Sequence, residues 1–228
     1  VYKRQAQKAA ACVSRVKLMG GSQYIAWLEG MNEVDLNLWR FGAANNAAAI
    51  SMMVDMHTQC YNALKADSAT SGIFIAAPSC TNTNGQISTD VNTAIQGMSS
   101  KYDAGNARWY SGKWEPNMPL SGVDGNGYGT IEKEISNARA TAGGKTPVVI
   151  TECGYHNGIL VTLGHLPVRE DTASLYMPDV FTRPYSQGAR VVTNYQITDF
   201  ITQDGRTQTD KSICLLYTSP SPRDGLLS

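Results

Sequence analysis

The sequence predicts an α/β fold of parallel strand–helix units, and three observations predict it. Short apolar runs rich in β-branched residues recur without polar alternation, as in Val148-Val149-Ile150, which suits strands covered on both faces. Longer segments with helical spacing separate these runs. Two of the runs, "YIAWLEGMNE" and "VVITECGYHNG", end in glutamates set among Gly, Asn and aromatic residues. Alternation of this kind, with no internal repeat or linker, implies βαβ crossovers.

The elements follow in chain order. Ala6 to Gly21 reads as the end of a helix closed by glycines. Tyr24 to Leu28 reads as a strand, with Glu29, Gly30, Asn32, Glu33 and Asp35 crowded at its end. A helix is expected from about Asn46 to Lys65, with Ile50, Met53, Val54, Tyr61 and Leu64 on its inner face and His57 in a structural place. "GIFIAAPSC" is a short buried strand with Pro78 to Cys80 on its rim, and a helix capped by Thr89 or Asp90 follows. "AGNARWYSGKWEPN" carries the next strand and its loop. "GYGTIEKEISNARATAGG" is a helix ended by glycines, and Pro147 opens the strand that leads to Glu152. "REDTASLYMPDVFTRPYSQG" is a helical segment disturbed by Pro178 and Pro184, and "ARVVTNYQITDF" is the last strand. That makes five strands.

The two glutamate-ended strands carry the chemistry. A carboxylate inside a buried strand is costly to desolvate. At the C-terminal end it meets the rim where α/β folds keep their ligands. Glu33 and Glu152 lie 119 positions apart, room for three strand–helix units of roughly thirty-odd residues each in an eight-unit barrel. Two carboxylates on one rim are what cleavage of a glycosidic bond requires: one gives a proton, the other attacks or activates water.

"GMNE" and "ITECGYHNG" resemble the two catalytic strand ends of the large superfamily of retaining (β/α)8-barrel glycoside hydrolases. The resemblance spans about Ala6 to Ile213. It implies a partial TIM (β/α)8 barrel, strands four to eight with their intervening helices. An Asn-Glu pair ends the fourth strand in that superfamily, so Glu33 would be the acid/base and Asn32 a sugar contact. The glutamate ending the seventh strand, here Glu152, would be the nucleophile. Trp109, Tyr110, His156, Asn157, Tyr195 and Gln196 would contact substrate, and Asp199 lies in the same last rim. Glu29 would support Glu33. Many members carry a His two positions before a Tyr on the sixth strand. Arg108 stands there instead, and would hold Glu152 ionised. Retaining chemistry sets the carboxyl groups about 5–5.5 Å apart.

Both ends read as adapter-derived. "VYKRQ" can be encoded GTG TAT AAG AGA CAG, whose reverse complement, one frame over, gives the Cys-Leu-Leu-Tyr-Thr of Cys214 to Thr218. Residues 1–5 and 214–228 are therefore set apart, and 6–213 is the expected C-terminal part of a catalytic domain, a gene fragment of metagenomic type. Removing Lys3, Arg4, Arg223 and Asp224 from 19 basic and 19 acidic residues leaves 16 and 18, a net charge of about −2.

That balance gives no basic surface for nucleic acid and no membrane-binding patch, and no apolar run is long enough to span a bilayer. Cys12, Cys60, Cys80 and Cys153 match no zinc or redox spacing, though a Cys60–Cys80 bridge is open to them. His156 and His165 lack metal-ligand spacing. "GNGYG" follows no strand and lacks the Lys-Ser/Thr of a nucleotide loop. The expected partner is a carbohydrate, with no metal or cofactor. A sugar-binding barrel without catalysis, or a barrel enzyme of other chemistry, are the alternatives; sugar, linkage and localisation stay open.

Overall fold

The structure is a computed structural model, and it describes residues 2–82, 85–111, 115–116, 130–144, 147–155 and 168–194. The fold is α/β. In order it has α1 (Tyr2–Leu18), β1 (Trp27–Leu28), α2 (Val34–Asn37), α3 (Asn46–Ala66), β2 (Phe74–Ile75), α4 (Gly85–Gly97), β3 (Gly105–Trp109), α5 (Ile131–Thr141), β4 (Val148–Cys153), α6 (Glu170–Ser186) and β5 (Ala189–Asn194). The chain divides into two compact units, Val1–Ala107 with Ser136–Val149, and Arg108–Ile135 with Ile150–Ser228.

In the first unit β1 and β2 pair in parallel, with Trp27 opposite Phe74 and Leu28 opposite Ile75. The ladder continues through a parallel bridge between Ala76 and Ala104. The Asp103 N–H donates to the Ile75 carbonyl at 2.7 Å, and that of Ala77 to Ala104 at 2.9 Å. Chain order and ladder order agree here, as successive βαβ units require. β1 is shorter than the Tyr24–Leu28 run suggests, because Tyr24 is 74% exposed and closes the 3₁₀ turn Gly21–Gln23, its N–H donating to the Gly21 carbonyl. At the strand itself Trp27 covers Phe74, ring centroids 4.8 Å apart.

α3 contributes to both core clusters of the first unit. Asn45 caps it, its side-chain oxygen accepting the Ala48 N–H at 2.9 Å, which satisfies one of the helix's orphan donors. Ala49, Met53, His57 and Leu64 are buried along one stripe, the spacing of an inward helix face. Met53, Val91, Ile95, Tyr102, Val34 and Leu38 form one cluster, with Ile50 and Val54 packed against it. Val16, Leu64, Ile73 and Ile75 form a second, flanked by Cys12, Val13 and Tyr61. His57 is structural, as its helical setting suggests. Its ring nitrogen meets the Lys101 carbonyl at 2.9 Å, and burial lowers its pKa.

Two helix boundaries differ from the sequence reading. α4 starts at Gly85, four residues before Thr89. The Thr89 hydroxyl does not cap the helix but bonds back to the Gly85 carbonyl at 3.3 Å, the alternative open to a threonine inside a helix. α6 runs unbroken through Pro178 and Pro184. Each proline removes one N–H, while Ala173, Met177, Val180 and Pro184 hold the helix by a buried stripe at spacings of four, three and four.

In the sheet β3, β4 and β5 lie in that order. β4 is buried through Val148, Val149 and Ile150, then opens at Thr151 and Glu152. Cys153, the last residue of the strand, is buried again. The cysteines Cys12, Cys60, Cys80 and Cys153 are free, which removes the Cys60–Cys80 bridge. No described helix is long and apolar enough to cross a membrane.

Candidate functional site

The first unit places one glutamate in a loop tied down at several points. After β1 the chain passes Gly30 close against the backbone of Pro78. A Cβ built at Gly30 would stand 2.6 Å from the Pro78 nitrogen and 2.8 Å from the Ala77 carbonyl carbon, so only glycine fits. The segment then pairs with the one after β2. The Ser79 N–H donates to the Met31 carbonyl at 2.8 Å, and the Val34 N–H to the Ser79 carbonyl at 3.0 Å. The Ser79 hydroxyl accepts the Glu33 N–H at 2.9 Å and donates to the Asn32 amide oxygen at 3.4 Å.

Glu33 sits at the N-terminus of α2 in the left-handed region, φ 45° and ψ 56°. The other described non-glycine residue with positive φ is Asn82, a type that tolerates it; a glutamate does not. Such a conformation persists only where its surroundings over-determine it. The Glu33 carbonyl accepts the Asn37 side-chain amide at 3.0 Å and two backbone N–H groups at 3.1 Å. Glu33 is half-buried and Asn32 exposed. Asn32 also lines a cavity of about 320 Å³ with Met31, Arg40, Phe41 and Met52.

Beneath this loop Asp35 is 2% exposed. Its carboxylate accepts the Thr81 N–H at 2.9 Å, the Thr81 hydroxyl at 2.8 Å and the Ser88 hydroxyl at 2.6 Å. A buried carboxylate is tolerated when its lone pairs are filled in this way. Asp35, read from sequence as one of several rim acids, is thus the knot tying the Glu33 loop to α4. The sequence places Ser79 on the rim within Pro78 to Cys80 but gives no role to Thr81 or Ser88. The available signal was the abrupt polar run "SCT" after "IFIAAP".

Glu29, expected beside Glu33, accepts instead from the Asn106 side-chain amide at 3.2 Å. Asn106 projects from β3 and also donates to the Ala77 carbonyl at 3.0 Å, which draws Glu29 toward that strand.

The second unit holds the other glutamate. Glu152 is the penultimate residue of β4. Its Oε2 is ion-paired with the Arg108 guanidinium, and its Oε1 accepts the Tyr110 hydroxyl. The Arg108 side chain is 3% exposed and that of Glu152 is 19%. Both carboxylate oxygens are therefore held from the end of β3, yet the carboxylate remains open to approach. Tyr110, expected to touch the sugar, uses its hydroxyl on Glu152 and is 5% exposed. Trp109, expected as a stacking surface, is 0% exposed. Alternation along β3 explains the split: Arg108 and Tyr110 share one face and Trp109 takes the other. Below them the Cys153 thiol donates to the Thr193 carbonyl at 3.4 Å. The Tyr155 ring packs on Tyr176 at 5.6 Å, and burial raises its phenol pKa.

His156, Asn157, Tyr195, Gln196 and Asp199 lie outside the described residues, as does His165. Among the described residues no group of three or more His, Cys, Asp or Glu side chains could hold a metal ion.

No family model matches the chain. No curated protein matches it either. Among solved structures it is similar to β-glucuronidase from Ruminococcus gnavus. The complex of that protein with D-glucaro 1,5-lactone matches at 14% identity and a TM-score of 0.36, over 73% of this chain and 34% of that one. The apo structure matches at 14% identity and 0.36, over 76% and 34%. The complex with uronic isofagomine matches at 14% and 0.37, over 77% and 33%. The chain spans about a third of the length of these structures. The likeness is distant.

Proposed function

We propose that the chain is part of a glycoside hydrolase that cleaves O-glycosidic bonds by a retaining double displacement. In that enzyme the chain forms strands four to eight of a (β/α)8 barrel, and the substrate is a carbohydrate. The observation that carries it is Glu152, a partly exposed carboxylate near the C-terminal end of a buried strand, with one oxygen on Arg108 and the other on Tyr110. A nucleophilic carboxylate must be anionic, aimed and reachable. A guanidinium balances its charge, a phenol fixes its rotation, and a fifth of its surface stays open. The left-handed backbone of Glu33 is a second support, since such conformations gather at functional positions.

In the first step the Glu152 carboxylate attacks the anomeric carbon while Glu33 protonates the departing oxygen. The Tyr110 hydroxyl and Arg108 release the Glu152 oxygens as the new bond withdraws their charge. In the second step Glu33 takes a proton from water, which attacks the same carbon and frees Glu152. Asn32, exposed in the Glu33 loop, contacts the sugar beside the cleaved bond. Trp109 has no part as a stacking surface, since its ring is enclosed.

The test is covalent trapping in the full-length gene product. A 2-deoxy-2-fluoro glycoside with an activated leaving group is expected to label the peptide containing Glu152, and Glu152→Gln to abolish both label and turnover while sugar binding persists. Turnover with the label on another carboxylate would refute the assignment. Sugar binding with neither turnover nor label would favour a non-catalytic binding barrel. In a crystal structure of that product the Glu33 and Glu152 carboxyl groups are expected about 5–5.5 Å apart, against roughly 6.5–9.5 Å for an inverting enzyme.

A further inference from the structure

Away from both glutamates, α1 and α3 pack side by side within the first unit. Lys17 pairs with Asp67 at 2.9 Å near one end of the interface. Val16 and Leu64 share a core cluster, with Cys12, Val13 and Tyr61 packed on it. Four residues, about one turn, before Val16 and Leu64 on the two helices stand Cys12 and Cys60, which that register sets opposite each other. Contacts advance along both helices in the same direction, so the helices run parallel and the two cysteines face each other across the seam. Each is half-buried, reachable from solvent, and free. The other described cysteines differ: Cys80 and Cys153 are buried and point at backbone carbonyls.

We infer that Cys12 and Cys60 form a dithiol that a small-molecule disulfide converts to a disulfide stapling α1 to α3. The thiolate of one cysteine attacks a sulfur of the small disulfide, forming a mixed disulfide and expelling one small thiolate. The thiolate of the second cysteine then attacks the protein-side sulfur, closing the Cys12–Cys60 bond and expelling the other. The two cysteine protons end on the two released thiols, and the protein loses two electrons that the small disulfide gains. Burial and the neighbouring Cys12 push the Cys60 thiol up to about 11, while Lys8 acts in the opposite direction. The pair therefore rests as a dithiol at neutral pH and closes by exchange slowly, faster as pH rises. The loop between the cysteines is long, which favours a strong constraint on the unfolded chain.

The test is a redox titration of the 228-residue chain in glutathione buffers of graded oxidised fraction, quenched with acid and alkylated. Non-reducing digestion and mass spectrometry are expected to find Cys12 and Cys60 in one linked peptide pair, two hydrogens lighter, in the monomer. The oxidised chain is expected to melt at a higher temperature than the reduced one. Cys60→Ser should instead stop at a glutathione adduct on Cys12. A variant with Cys80, Cys153 and Cys214 replaced by Ser reports the pair alone. If that variant loses its circular dichroism, the wild-type peptide map decides. Free Cys12 and Cys60 in the most oxidised buffer would overturn the inference. So would persistent glutathione adducts on the wild type, links found only between chains, or random pairing matching that in denaturant.

Discussion

Replacing Asp35 with alanine tests the knot beneath the Glu33 loop. The change removes a buried carboxylate and strands three donors, the Thr81 N–H and the hydroxyls of Thr81 and Ser88. The hydroxyls can rotate toward other acceptors, but the Thr81 N–H is fixed by its backbone. A hydrogen bond to a charged group contributes about 1.5–3 kcal/mol, and a buried donor left unpaired costs about 1–3 kcal/mol. Against this stands the cost of burying the carboxylate itself, which the mutation relieves. Together these place Asp35→Ala at a loss of about 3–5 kcal/mol, a large share of a domain stability of about 5–15 kcal/mol. Asp35→Asn keeps the oxygen that accepts from Thr81 N–H, and its amide can donate to hydroxyls that turn into acceptors. It is expected to lose only about 1–2 kcal/mol, the charge assistance alone. Urea unfolding followed by circular dichroism measures both. The reasoning fails if Asp35→Ala costs less than about 1 kcal/mol, or if the two variants are equally damaging.

Three other outcomes follow from single positions. Glu33→Gly is expected to be more stable than Glu33→Ala by about 1 kcal/mol, because glycine accepts the left-handed backbone that alanine resists; equal denaturation midpoints would count against strain at this residue. Gly30→Ala drives a Cβ into the backbone of Ala77 and Pro78 and should lower stability by about 1–3 kcal/mol, with an unchanged melting temperature refuting the close approach. For His57 the folded pKa lies below the usual 6.5 because burial disfavours the cation. The unfolded chain thus takes up the proton first, so a penalty absent above pH 6.5 grows as pH falls below it. Between pH 7.5 and 5 the wild type should lose more stability than His57→Gln, and parallel slopes would rule out His57 as the source.

Much of the architecture was legible in the chain itself, because it depends on local pattern. The inner face of α3 follows from apolar spacing around Met53 and Leu64, and the buried run before Glu152 from Val148-Val149-Ile150. The alternation of strands and helices follows from the same patterns. Both glutamates stood out because a carboxylate at the end of an apolar strand is expensive unless it has a task. What they bond to was not legible, since those partners come from elsewhere in the chain. Glu152 is held by Arg108 and Tyr110, over forty positions earlier, while Trp109 between them turns away from that face and is enclosed. Composition marks a tryptophan as a sugar platform or a core residue alike; only packing decides, and it placed this ring in the core. The left-handed turn at Glu33 likewise leaves no trace in the dipeptide Asn-Glu. It exists because Ser79, arriving from the next strand, takes up its N–H, while Asp35 below gathers Thr81 and Ser88. Local sequence sets which elements form, whereas these polar contacts span dozens of residues and exist only once the strands are side by side.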